Sequence, residues 1–253
     1  LCLISGDTLL GRTAQSLAEL GIDDGAILSV VQRERKLIVT CSKDHTAKIW
    51  DAGTGECKQT LAGHTGPLCS AVFSPDGSSV LTASQDETAK IWDAGTGECK
   101  HTLDAGWHTS SAIFSPDGSS VLTASYDARM WDASTGECQR ILHDHEALLR
   151  SVVFSPDGSS VLTAYLSEGN KGGASVWDAG TGECKQTLAG HTGQVNSAVF
   201  SPDGSSVLTA SEDHTAKVWD AGTGECKQTL ADHTGPVRSA VFSPDGSSVL
   251  TAS

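Results

Sequence analysis

"SPDGSSVLTAS" (residues 74–84) returns letter for letter at 115–125, 201–211 and 243–253, and once more at 155–165 with Tyr165 as its last letter. Its first four letters put Pro at the second and Gly at the fourth position of a β-turn, where each is favoured. The rest, "SSVLTAS", reads as a strand. Before each copy stands a short apolar run such as "SAVF" (70–73). After it come a tight turn at Asp86-Glu87, then "TAKIWD" (88–93), "AGTGE" and "CKHTL". Val, Ile, Thr and aromatics fill the runs while Gly, Pro and Asp fill the gaps, which is the pattern of consecutive hairpins. One unit is therefore four short strands.

The unit recurs with a steady beat. Phe73, Phe114, Phe154, Phe200 and Phe242 are 41, 40, 46 and 42 residues apart, and Trp50, Trp92, Trp131, Trp177 and Trp219 keep the same rhythm. A period in this range marks a repeat architecture. Leu81 and Ala83 point to one face of the sheet, Val80 and Thr82 to the other, so an isolated unit would leave apolar surface in water. Neighbouring units must cover both faces, and radial repetition does so with short edges.

"GHTG…SPDG…SxDxTAKxWD" resembles the WD40 repeat family over residues 36 to 253, with five Trp-Asp pairs and the dipeptides Gly63-His64 and Gly190-His191. The resemblance implies an all-β fold, a WD40 β-propeller. Here it predicts about five blades plus a partial sixth, in an open or incomplete ring. Residues 1–32 are similar instead to the C-terminal half of a ubiquitin-like domain, with "GRT", a short helical turn in "SLAEL", "GIDDG" and a last strand "AILSVV". The division expected is thus a small ubiquitin-like α+β remnant at 1–32 and WD40 repeats at 33–253. In a second reading "ILSVV" (27–31) is the partner strand of "LIVTCS" in the first repeat.

In the WD40 family a His, a hydroxyl, an Asp and a Trp tie each blade together. The matching residues are His64, Ser84 (or Thr82 on the same face), Asp86 and Trp92 in the second repeat. In the fifth they are His191, Ser211, Asp213 and Trp219. The third keeps Ser125, Asp127 and Trp131 but is two residues short, and its His108 is out of register. The fourth keeps His145 and Trp177, has Tyr165 for Ser, and carries the insertion "LSEGNKGG". Both length changes are even, so Trp131 and Trp177 should stay on the expected face. "GNKGG" (169–173) lacks a full phosphate-loop pattern and opens no helix, and is read as a hairpin tip. Because Ser, His and Asp recur repeat after repeat without a nucleophile elbow, they read as framework and not as a hydrolytic triad. No catalytic, metal or cofactor residue is assigned, and no cofactor is expected.

The totals narrow the classes of partner. With 31 acidic against 17 basic residues, the net charge of −14 argues against a nucleic-acid backbone. The acids are expected in structural turns. No apolar run is long enough to cross a bilayer, so no membrane is expected. Eight cysteines without C-x-x-C spacing support neither a zinc site nor a disulfide framework. They read as reduced, part-buried thiols of an intracellular protein, cytoplasmic or nuclear. The chain begins with Leu1 and reads as a fragment.

If the repeated letters are framework, function lies in the letters that vary. One varying set precedes the first strand of each repeat: Cys69, Ser110, Arg150, Asn196 and Arg238. Another sits in the turn before Asp: Lys43, Gln85, Tyr126 and Glu212. By the resemblance both lie on a rim that docks peptides and proteins, and Tyr126 and Arg150 are the strongest anchors. The function expected is a non-enzymatic protein-protein interaction scaffold. A ubiquitin-pathway component such as a ligase substrate receptor is the alternative. The sequence is silent on oligomeric state.

Overall fold

The structure is a computed structural model. It describes the chain apart from residues 1, 6–7, 11–28, 32–35, 108, 143–147 and 167–171. All regular structure among the described residues is β, and the chain divides into two units, 1–38 with 50–56 and 39–49 with 57–253.

In the smaller unit β1 (Cys2–Ser5), β2 (Thr8–Leu10) and β3 (Ser29–Val31) form an antiparallel sheet in the order β2-β1-β3. β3 thus pairs with β1. Among the described residues it does not pair with the first repeat, as the second reading of "ILSVV" required. The helical turn expected in "SLAEL" lies outside the described residues.

β4 (Leu37–Cys41), β5 (Thr46–Asp51) and β6 (Cys57–Ala62) make a three-stranded sheet. Four sheets of four strands follow. The second repeat comprises β7 (Leu68–Phe73), β8 (Ser79–Ser84), β9 (Thr88–Asp93) and β10 (Cys99–Asp104). The third comprises β11 (Ser111–Phe114), β12 (Ser120–Ala124), β13 (Ala128–Asp132) and β14 (Cys138–Leu142). The fourth comprises β15 (Leu148–Phe154), β16 (Ser160–Leu166), β17 (Gly172–Asp178) and β18 (Cys184–Leu188). The fifth comprises β19 (Val195–Phe200), β20 (Ser206–Ser211), β21 (Ala216–Asp220) and β22 (Cys226–Leu230). β23 (Ser239–Phe242) and β24 (Val249–Ala252) pair alone. Each four-stranded sheet is an antiparallel meander.

Packing between successive sheets repeats one recipe. Leu162, Ala164, Ala174, Val176 and Leu188 of the fourth repeat meet Val195, Ala198, Val207 and Trp219 of the fifth. Leu81, Ala83, Ala89, Ile91 and Leu103 of the second meet Ala112, Val121 and Trp131 of the third in the same way. Both faces of each four-stranded sheet are buried, as the alternating pattern requires. At the last pair the recipe stops. Leu250 is 70 % exposed where its counterparts Leu81, Leu122, Leu162 and Leu208 are fully buried. Among the described residues no strand pairs with the outer edge of β24, and the row of sheets does not close into a ring.

The even length changes leave the frame intact. Trp131 faces Val121 and Trp177 faces Val161 across their strand pairs, in the register of Trp92 with Val80 and Trp219 with Val207. The extra residues of the fourth repeat lengthen β16 and β17. Gly172 and Gly173 accordingly lie in β17, paired with Leu166 and Tyr165, and not at a hairpin tip. Tyr165 explains the second glycine: a Cβ on Gly173 would sit 2.5 Å from the Tyr165 hydroxyl. A Cβ on Gly172 would collide with the Val195 backbone. The cysteines depart from expectation: Cys41, Cys57, Cys69, Cys99, Cys138, Cys184 and Cys226 are free and exposed. Five of them begin or flank outer strands, where no next sheet covers the edge.

Tyr165 is 8 % exposed and packs with Leu122, Leu142 and Trp177. Replacing it with the serine of the other repeats removes a buried ring, a change that costs about 3 kcal/mol. Tyr165→Ser should therefore lower the unfolding midpoint in urea. A midpoint equal to or above wild type would show that the ring adds nothing to the interface.

Candidate functional site

Two kinds of polar cluster need to be separated, one inside the sheets and one at their surface. Inside the second repeat, the Trp92 indole N–H donates to Thr82 Oγ1 at 2.8 Å, and Thr82 Oγ1 lies 2.8 Å from His64 Nε2. His64 Nδ1 is 2.9 Å from Asp86 Oδ2, which also accepts the Thr65 backbone N–H at 2.8 Å. Asp86 as a carboxylate only accepts, so His64 Nδ1 carries the proton and Nε2 receives the Thr82 hydroxyl. The direction of every bond is thereby fixed. The fifth repeat repeats the set with Trp219, Thr209, His191 and Asp213 at 2.8, 2.7 and 2.8 Å.

The hydroxyl in the middle is the threonine, not Ser84 or Ser211. Ser84 Oγ instead donates to the carbonyls of Gly66 and Pro67 and accepts the Asp86 N–H. Ser211 accepts the Asp213 N–H in the same manner. The period-two rule sends both residues to one face, and only the distance to Trp separates them. The third and fourth repeats keep the Trp–Thr half, Trp131 to Thr123 at 3.0 Å and Trp177 to Thr163 at 2.9 Å. His108 and His145 lie outside the described residues. In the last pair His233 Nε2 meets Thr251 Oγ1 at 2.7 Å.

An Asp–His–hydroxyl series has the order of a hydrolytic triad. Here the Thr82 oxygen is fully buried and already receives the indole N–H, so no substrate carbonyl can approach it. The set is a tie.

At the surface, β7, the β8–β9 turn, the β10–β11 loop and β15 meet around a pocket of about 470 Å³. Among the described residues it is lined by Cys69, Gln85, Trp107, Thr109, Ser110, Leu149 and Arg150. Partial desolvation at this pocket raises the pKa of the Cys69 thiol, although the residue as a whole is exposed. Trp107 is 65 % exposed on a loop held from below. Gly106 N–H donates to the Glu87 carbonyl at 3.0 Å, Thr109 Oγ1 donates to the Gly106 carbonyl at 2.7 Å, and Arg129 donates to the Asp104 carbonyl at 2.7 Å. Gly106 has φ +87°, a conformation that suits glycine there.

Of the rim residues read from the sequence, Gln85 and Arg150 line this pocket. Tyr126 is exposed on the β12–β13 turn, outside the lining. Lys43, Glu212 and Arg238 are exposed elsewhere, and Asn196 is half-buried with its amide donated to the Val237 carbonyl at 3.1 Å. Trp107 was missed. Its one signal was being the tryptophan off the Trp-Asp beat.

The family described as "WD domain, G-beta repeat" matches residues 17–51, 55–93, 136–178, 182–220 and 224–253. The chain belongs to the WD repeat family. The first matched stretch includes much of the segment read as ubiquitin-like. Among relatives, coatomer subunit beta'-2 of Arabidopsis thaliana is 44 % identical over 43 residues, 17 % of this chain and 5 % of that protein. Nuclear distribution protein PAC1 of Arthroderma otae is 41 % identical over 70 residues, 28 % of this chain and 15 % of that protein. WD repeat-containing protein 86 of Homo sapiens is 49 % identical over 41 residues, 16 % of this chain and 11 % of that protein. The chain thus spans a small part of each relative's length. Residues 94–135, the third WD repeat, fall between the matched stretches, and they carry both Trp107 and Tyr126.

The ties make stability depend on pH. Burial lowers the pKa of His64 and His191 below 6.5, outweighing Asp86 and Asp213. A histidine held neutral in the fold stabilises it fully above its unfolded value and loses that contribution as pH falls through the folded value. Burial would raise Asp86 and Asp213, yet hydrogen bonds from Thr, backbone N–H and His outweigh it. Both carboxyls end well below the ordinary range, Asp213 at about 2. Their contribution is lost only below about pH 4. The melting temperature should therefore fall from pH 7 to pH 5, and His64→Gln with His191→Gln should flatten that slope. An equal slope in wild type and variant would show that other groups set it.

Proposed function

We propose that this WD-repeat chain is a non-enzymatic scaffold that binds partner proteins, and that its contact surface is the pocket beside the third repeat. The observation that carries this is Trp107, a large aromatic left exposed on a braced loop, over a pocket with an aliphatic floor at Leu149 and a guanidinium at Arg150. Trp, Tyr and Arg are the residues that dominate binding energy at interfaces. Tyr126 on the neighbouring turn would extend the same surface. Family membership supports the scaffold class, and Trp107 and Tyr126 lie in residues 94–135, between the stretches that match the family. The His–Thr–Trp–Asp sets serve the framework in this reading, with residues 33–253 as the WD-repeat portion. The ubiquitin-pathway alternative rests on residues 1–32, and no described feature favours it. No helix among the described residues is long and apolar enough to cross a membrane.

Trp107→Ala, Tyr126→Ala and Arg150→Ala together should leave melting within about 2 °C, because all three side chains are exposed. The same triple variant should weaken partner binding at least tenfold, measured by quantitative pull-down against Lys43→Ala with Glu212→Ala as the control. Equal recovery by both variants would move the contact surface elsewhere.

A further inference from the structure

Five of the cysteines keep the beat of the repeats, but Cys41 and Cys69 do not. Cys41 stands in β4 where the other copies of this strand have Ala83, Ala124, Ala164, Ala210 and Ala252. Cys69 stands in β7 where the later repeats have Ser110, Arg150, Asn196 and Arg238. Two positions that hold no cysteine elsewhere in the repeats therefore both hold one here.

The fold brings these two positions to one place. β4 is the counterpart of β8, which runs antiparallel to β7. Across the junction of the first and second repeats the Leu68 N–H donates to the Ser42 carbonyl at 3.2 Å. Leu149 donates to Ser125 at 3.1 Å and Val237 to Ser211 at 2.9 Å at later junctions, so the bond belongs to the framework. Cys41 and Cys69 flank it, one on each side. In antiparallel strands the residues beside such a bond have Cα atoms about 4.5–5.5 Å apart, inside the roughly 4.4–6.8 Å that a disulfide spans. Desolvation is the main cause that raises the Cys69 pKa, and repulsion from Cys41 adds to it against a hydrogen bond from Gln85. The two sulfurs are thus within electrostatic reach. Both thiols are free and exposed.

Packing holds this junction loosely. Thr40 and Cys41 are exposed, whereas their counterparts Thr82 with Ala83, Thr123 with Ala124 and Thr209 with Ala210 are buried. A covalent tie would do here what apolar burial does at those junctions.

We propose that Cys41 and Cys69 form a reversible disulfide that staples the first repeat to the second under oxidising conditions. The oxidant is a small disulfide such as oxidised glutathione. The Cys41 thiolate attacks one sulfur of the oxidant and expels a glutathione thiolate. Cys69, whose proton is held more tightly, reacts second: as thiolate it attacks the Cys41 sulfur of the mixed disulfide and expels the other glutathione thiolate. The two protons lost by the cysteines end on the two glutathiones, and two electrons pass from the protein to the oxidant. The bond closes residues 42–68 into a loop, which restricts the unfolded chain. Cys69 also lines the Trp107 pocket, so the bond would set one wall of the proposed contact surface, a consequence that rests on the reading of that pocket. The on-beat cysteines differ. Each directs its thiol to a carbonyl of its own strand, as Cys99 does to His101 at 3.4 Å and Cys226 to Gln228 at 3.6 Å.

The test treats the whole chain with oxidised glutathione, alkylates the remaining thiols and maps the digest by peptide mass spectrometry. A peptide linking Cys41 to Cys69 should appear in most of the monomer and vanish on treatment with dithiothreitol. The on-beat cysteines should carry glutathione or the alkyl label instead. Oxidation should raise the melting temperature by about 5 °C and slow amide exchange in residues 39–49 at least threefold. Neither change should occur in Cys41→Ser or Cys69→Ser, which in reduced form should melt within about 2 °C of wild type because both positions are exposed. If a serine variant melts much lower, oxidised against reduced wild type decides alone. Separate glutathione adducts on Cys41 and Cys69, or a linkage found only between two chains, would overturn the pairing. A linked monomer with unchanged melting and exchange would overturn the staple.

Discussion

Each four-stranded sheet in this chain is apolar on both faces, and no sheet of that kind is stable alone in water. Val80 and Leu81 are adjacent in sequence, point to opposite faces and are both fully buried. Burying either against a neighbour is worth about 1.5–3 kcal/mol, so every repeat depends on the one before and the one after. The Leu–Ala face of one sheet meeting the Val–Trp face of the next is the contact that propagates along the chain. Where the succession ends, Leu250 stands in solvent with the same local sequence as its buried counterparts.

Given that contact, the internal hydrogen bonds are secondary and tolerate loss. The indole-to-threonine bond persists in the second to fifth repeats, because the buried Trp N–H needs an acceptor wherever the ring is buried. The His–Asp extension is seen complete in the second and fifth repeats. In the fourth repeat the Tyr165 ring lies against Gly173. Its buried Ser175 hydroxyl has no hydrogen-bond partner among the described residues.

Acidity has the same local origin. Asp93, Asp178 and Asp220 accept backbone N–H groups in the loops after Trp and pair with Lys100, Lys185 and Lys227 at 3.1, 2.8 and 2.9 Å. The aspartates of "SPDG" brace their own turns. Much of the negative charge is thus a by-product of turn chemistry repeated once per unit, and it lands in rows because the units are in register. A framework rule has produced a surface property.

Strand identity, turn type, period and the survival of register through even insertions were all legible in the sequence, because each follows from alternation and from residues with restricted backbone preferences. The tying residues were legible as far as the face they share. Choosing Thr82 over Ser84 needed the distance to the indole, since period-two geometry makes them equivalent. The pocket was half legible: Gln85 and Arg150 were read as varying positions, but Trp107 lies in a loop with no period to measure it against. The role of Tyr165 belongs to tertiary structure alone. The sequence determined what each repeat is, through local geometry. Which side chains from different repeats meet was decided only when the sheets packed, because those contacts join residues some forty positions apart.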